Sequence, residues 1–135
     1  MGDVYLAQDT RLDRNVALKT LPGDVAADPD RMKRFVQEAK AASGLNHPNI
    51  ITIYEIDQTD STPFIATEFI DGATLCERMR VQPLVLGDVL QVAVQIAGAL
   101  TAAHANGIVH RDIKPENVIL RSDGIAKAPF TQKPH

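Results

Sequence analysis

Short apolar runs broken by polar turns fill the first half of the chain, and one long apolar stretch dominates the second. Val4–Asp9 and Asn15–Leu21 have strand character, and the polar link Thr10–Arg14 between them suits a hairpin. Asp28-Pro29 is a helix start, with Asp as N-cap and Pro at the first helical position. Met32, Phe35, Val36 and Ala39 recur at three- and four-residue spacing, so the pattern predicts a helix to about Ser43, ended by Gly44. Ile50–Ile56 and Phe64–Ile70 read as two further strands around the polar turn Asp57–Pro63. Asp71-Gly72 breaks the second of these, and a short helix is expected after it. A long helix follows from about Leu86, with Val89, Val92, Ala93, Ile96, Leu100 and Ala103 on one face, and stops at Gly107. Val118–Leu120 and Ile125 onward form a small hairpin whose turn is Asp123-Gly124. The expected class is α+β: a small β-rich lobe with one helix over residues 1–70, the start of a helical lobe over 71–127, and a divergent tail over 128–135.

Composition narrows the setting more than the chemistry. Of 135 residues, 44% are hydrophobic and 23% charged, an ordinary globular balance. With four Phe, two Tyr and no Trp, a core must be built from aliphatic side chains. A net charge of −3 gives no electrostatic footprint for nucleic acid or anionic membrane. Cys76 is the only cysteine, so no internal disulfide forms, and no secretory signal opens the chain. Asp88, Gln91, Gln95 and His104 interrupt the apolar stretch Val85–Val109, which reads as a buried soluble helix rather than a membrane span. The expected location is cytoplasmic.

Three segments carry candidate chemistry. Lys19 lies in a strand after Ala17-Leu18, where an ammonium can point into a cleft and neutralise phosphate oxygens. Glu38 is mid-helix, and on a helix packed against that strand its carboxylate could pair with Lys19. Taken singly, Lys19 reads as a solvated lysine on an edge strand and Glu38 as an exposed helix residue. The segment from His110 to Asn117 is far more specific. Asp112, on a loop, can accept a proton from a hydroxyl, and Lys114 can reach a transferring phosphoryl group. Asn117 offers a carbonyl oxygen to a divalent metal, while Pro115 stiffens the turn that aims these groups. His47 and His104 read as structural, Cys76 as a small packed residue, and no His/Cys spacing suggests zinc.

Val16-Ala-Leu-Lys19, Glu38, Asn46-His-Pro-Asn-Ile50 and His110-Arg-Asp-Ile-Lys-Pro-Glu-Asn117 together resemble the eukaryotic-type Ser/Thr protein kinase catalytic domain, in the style of its bacterial members. The resemblance covers residues 1 to about 127. It implies ATP and Mg2+ as cofactors and a protein Ser or Thr as acceptor. Asp112 would be the base, Lys114 would contact the γ-phosphate, and Glu38 would hold Lys19. By position, Gly2 matches the last glycine of the phosphate-covering loop and Val4 the residue above the adenine. Ala17 and Ile119 would sandwich the purine. Thr67 falls at the gatekeeper, Glu68-Phe-Ile70 at the adenine-binding hinge, and Thr74 where the ribose is often contacted. Asn117 would be a metal ligand, and His110 would support the loop. Lys114 favours a Ser/Thr over a Tyr kinase, and Arg111 argues against the small-molecule phosphotransferases.

Two departures qualify that reading. The chain is expected to be truncated at both ends, because it begins inside the glycine-rich loop and stops before the activation segment. After Asp123–Lys127 the family leads within a few residues to Asp-Phe-Gly, whose Asp is the main metal carboxylate. Here Ala128-Pro-Phe130 follows, and no Asp or Glu occurs after Asp123. A non-catalytic, pseudokinase-like fragment is therefore the rival expectation. On that view the uncovered apolar face of the long helix self-associates or binds the missing lobe.

Overall fold

The structure is a computed structural model and describes residues 4–110 and 112–130. The chain divides into two compact units. The first, from residues 4–44 and 52–69, carries a four-stranded sheet in the order β1-β2-β4-β3, formed by β1 (Val4–Asp9), β2 (Arg14–Thr20), β3 (Ile53–Thr59) and β4 (Thr62–Glu68). All neighbouring strands are antiparallel. Asp9 shapes the β1–β2 link by accepting from the N–H groups of Arg11 and Leu12, and Asp13 adopts a positive φ of 50° there.

Two helices complete this unit: α1 (Gly23–Ala26) and α2 (Pro29–Ser43). The α2 N-cap is the expected one, since the Asp28 side chain accepts from the N–H groups of Asp30 and Arg31. Phe35, Ala39 and Ala42 form its buried stripe, at the spacing of one helix face. They share the core with Val25, Ile53 and Ile65. α1 escapes sequence reading because four residues are too few to show a period.

The β3–β4 hairpin is tighter than its polar sequence implies. Instead of a seven-residue turn, Thr59 pairs with Thr62 across the two-residue turn Asp60-Ser61, with φ of 47° and 64°. Positive φ at both central residues matches the right-handed twist of the flanking strands, and Asp tolerates it. Ile50 and Ile51 leave the expected strand. They belong to the second unit, where Ile51 N–H donates to Ala128 O at 2.9 Å.

The second unit, Leu45–Ile51 with Ile70–Phe130, has a three-stranded sheet in the order β5-β6-β7, formed by β5 (Gly72–Thr74), β6 (Ile119–Arg121) and β7 (Ala126–Lys127). α3 (Leu75–Val81) and α4 (Leu86–Ala105) are its helices. Gly72, expected to end a strand, starts one. A Cβ at that position would overlap the Leu120 carbonyl, so only glycine lets β5 approach β6 this closely. The β6–β7 turn sits at Asp123-Gly124 as expected, with Gly124 at φ 88°.

α4 corrects one expectation. Among its residues only Ile96, Ala99 and Ala103 are buried, and Leu86, Val89, Leu90 and Val94 are exposed. The helix is thus not a buried core helix within this chain. It is also long and apolar enough to cross a membrane. Gln95 nevertheless ties it to the β6–β7 hairpin, donating to Gly124 O at 3.0 Å and accepting from Ala126 N–H at 2.8 Å.

Candidate functional site

In the first unit, strand register gathers the candidate nucleotide-side residues. Val4 lies opposite Lys19, Ala17 opposite Thr67, and Lys19 opposite Ile65. Residues directly opposite in an antiparallel pair share a face, as do residues two apart. Val4, Ala17, Lys19 and Thr67 therefore occupy one side of the sheet. Ala17, Lys19 and Thr67 are half-buried there, while Val4 is exposed on the edge strand.

Glu38 does not complete this group as expected. It is exposed, and no ion pair between Glu38 and Lys19 forms among the described residues. The stripe that α2 buries is Phe35–Ala39–Ala42, and Glu38 falls beside it rather than on it. Glu68 has a structural task that the sequence did not reveal. Its N–H donates to Thr52 O at 2.9 Å and its carboxylate accepts from Thr52 N–H at 2.8 Å, which clamps the end of β4 to the start of β3. Its amide is thus already engaged, while its carbonyl accepts from the Thr67 hydroxyl at 3.2 Å. Gly2 and Arg111 lie outside the described residues.

The second unit brings the catalytic-loop residues together. Lys114 Nζ is 3.4 Å from Asp112 Oδ1. Asn117 Nδ2 donates to Asp112 O at 2.9 Å and to Asp112 Oδ2 at 3.3 Å. The short 3-10 turn Pro115–Asn117, opened by proline, sets this spacing. Burial alone would raise the Asp112 carboxyl, but the Lys114 ammonium, the Asn117 amide and His110 outweigh it and hold the group below the usual carboxylate range. Ile119 is half-buried in β6, paired with Thr74 and Lys127. Thr74 spends its hydroxyl capping α3, accepting from Glu77 N–H at 3.1 Å. Ile70 is half-buried ahead of β5.

His110 is the hub of the loop, a larger part than its sequence position suggested. It is buried, its Nδ1 accepts from Asp112 N–H at 3.0 Å, and its Nε2 lies 2.6 Å from Pro129 O. An acceptor at Nδ1 and a carbonyl facing Nε2 specify the neutral tautomer protonated on Nε2. Burial pushes the imidazole below its usual value near 6.5, against the opposing pull of the Pro129 carbonyl and Asp112. A depressed folded value means the unfolded chain binds the extra proton first. The contribution is therefore full above about pH 6.5 and is lost as pH falls below it toward the folded value. The second unit's urea midpoint should fall between pH 7.5 and 5.5, and His110→Asn should flatten that slope. Asp112, also depressed, adds loss in the same direction only at more acidic pH.

The donor set suits Mg2+ poorly. Mg2+ is usually held by one or two carboxylates plus substrate phosphates. Asn117 supplies one neutral amide oxygen, and the Asp112 carboxylate already faces the Lys114 ammonium. Among the described residues no three His, Cys, Asp or Glu side chains cluster to hold a metal.

Comparison with known proteins identifies the family. The chain is 44% identical over 128 residues to the serine/threonine-protein kinase PrkC of Bacillus subtilis, covering 94% of this chain and 20% of that protein. It is 37% identical over 132 residues to PknB of Mycobacterium tuberculosis, covering 94% of this chain and 21% of that one. The crystal structure of the PknI kinase domain from M. tuberculosis superposes with a TM-score of 0.88 at 34% identity, over 97% of this chain and 53% of that domain's chain. The chain thus spans about a fifth of the curated relatives' length. The protein kinase domain model matches residues 1–128, and the chain belongs to that family, as part of a bacterial-type Ser/Thr kinase domain.

Proposed function

We propose that this chain is the ATP-binding and catalytic-loop portion of a Ser/Thr protein kinase domain, and that by itself it transfers no phosphoryl group. The family uses ATP and Mg2+ to phosphorylate protein Ser or Thr. The observation that carries the family half of this reading is the Asp112–Lys114–Asn117 constellation. Asp112, kept ionised by its cationic neighbour, is suited to accept a hydroxyl proton. Lys114 is suited to a phosphoryl oxygen. Val4, Ala17, Lys19 and Thr67, sharing one sheet face, supply an apolar surface and a cation of the kind a nucleotide needs. Glu68, Ile70 and Ile119 are assigned to the same adenine-binding role. A cytoplasmic setting and a protein acceptor belong to the same proposal.

Two observations favour an inactive chain: Glu38 is exposed and forms no ion pair with Lys19 among the described residues, and no three acidic, His or Cys side chains cluster there to hold a metal. The test is a radiolabelled ATP assay with a generic Ser/Thr acceptor protein, run beside an ATP binding titration. Weak ATP binding that Lys19→Ala removes, with no label transferred, is expected. Label transfer that Asp112→Asn abolishes would show an active kinase and overturn the second half of the proposal.

A further inference from the structure

The segment after β7 folds onto the catalytic loop with an apolar residue where the kinase pattern leads to an acidic one. Ala128, Pro129 and Phe130 follow Lys127, and residues 124–135 hold no Asp or Glu. Ala128 is fully buried, its N–H donating to Asn49 O at 3.0 Å and its carbonyl accepting from Ile51 N–H at 2.9 Å. Those two bonds fix where the next residues emerge. Pro129 presents its carbonyl to His110 Nε2 at 2.6 Å. Phe130 is 4% exposed and meets the His110 ring edge-on, with centroids 4.9 Å apart and planes at 89°. His110 holds the Asp112 backbone, and Asp112 in turn holds Asn117.

We propose that the second unit excludes a divalent cation from its catalytic loop, Phe130 and His110 closing with an apolar contact the position from which a carboxylate would reach a metal. The inference rests on the catalytic-loop reading of residues 110–117. Magnesium gives up its water reluctantly and needs anionic oxygens in return. The loop offers one neutral oxygen, from Asn117, a carboxylate already paired with Lys114, whose ammonium repels a second cation, and the exposed Glu116, for which no contact with Asp112 or Asn117 forms among the described residues. A buried phenyl ring adds no donor and makes an uncompensated charge beside it costly. Nucleotide bound by this chain then gains nothing from Mg2+.

The test uses the full chain with Mn2+ as a paramagnetic probe and no nucleotide. The Asn117 side-chain amide and His110 ring resonances should show no selective broadening, and no site tighter than about 1 mM should appear by electron paramagnetic resonance. Selective broadening at Asn117 that Asn117→Ala removes would overturn the proposal. Phe130→Asp should create a Mn2+ site at least about tenfold tighter, which uncharged Phe130→Asn should not. Should Phe130→Asp fail to fold, the wild-type broadening decides alone. In a parallel arm, ATP should bind no tighter in excess Mg2+ than in EDTA, and a tenfold gain with Mg2+ would count against the exclusion. Absence of ATP binding in both conditions would instead count against the nucleotide reading of the first unit, with the Mn2+ result carrying the decision here.

Discussion

Replacing Phe130 with alanine is expected to destabilise the second unit by about 3–5 kcal/mol, the range for truncating a buried aromatic ring. The ring is almost wholly buried and lies edge-on to His110, an arrangement that adds roughly 0.5–1.5 kcal/mol beyond area burial. Its loss also opens the imidazole to water. Desolvation is the main reason His110 titrates below its usual value, so the variant should move His110 back up toward 6.5. A urea unfolding curve and a histidine NMR titration read the two effects separately. Phe130→Leu, which keeps an apolar cover, should retain most of the depressed titration at a smaller stability loss. An unchanged His110 titration in Phe130→Ala would mean that the ring does not shield the imidazole.

The sequence carried the local features and missed those made by distant residues. Asp28-Pro29 revealed its cap because an N-cap is written in consecutive residues. Asp112, Lys114 and Asn117 were legible for the same reason: two- and three-residue spacing on a proline-stiffened turn leaves little freedom. Phe130 was hidden because an apolar residue between Pro129 and Thr131 has no period to betray its burial. Glu38 is a different case, exposed and forming no ion pair with Lys19 among the described residues. Its helix and its partner strand were both found, but facing is set by helix phase against the sheet, which residue types alone do not fix. The exposure of Val89, Leu90 and Val94 was likewise invisible, since periodicity names an apolar face without naming what covers it. Gln95 did leave a signal. A glutamine amid apolar helix residues, two residues from Ala93 and one from Ile96, is costly to bury without partners.

Those partners make Asn49→Ala the second large effect, with an expected cost of about 2–4 kcal/mol from two lost hydrogen bonds and the acceptors they leave behind. Asn49 is buried, and its Nδ2 donates to Gln95 Oε1 at 2.8 Å and to Ala126 O at 2.9 Å. Ala126 N–H in turn donates to Gln95 Oε1 at 2.8 Å, so both backbone groups of this β7 residue are satisfied by side chains. Without the Asn49 amide, the buried Ala126 carbonyl loses its side-chain donor, and Gln95 is held by the hairpin alone. The backbone of Asn49 would still accept from Ala128, so the segment leading to Phe130 should keep its course. Gln95→Ala should cost a similar amount, and the double variant should cost less than the sum, with a coupling of roughly 0.5–3 kcal/mol. Hydrogen exchange at the Ala126 amide locates the damage. Faster exchange there, with protection in the β1–β4 sheet unchanged, is the expected pattern. Strict additivity of the two substitutions would show that Asn49 and Gln95 stabilise the unit independently rather than as one network.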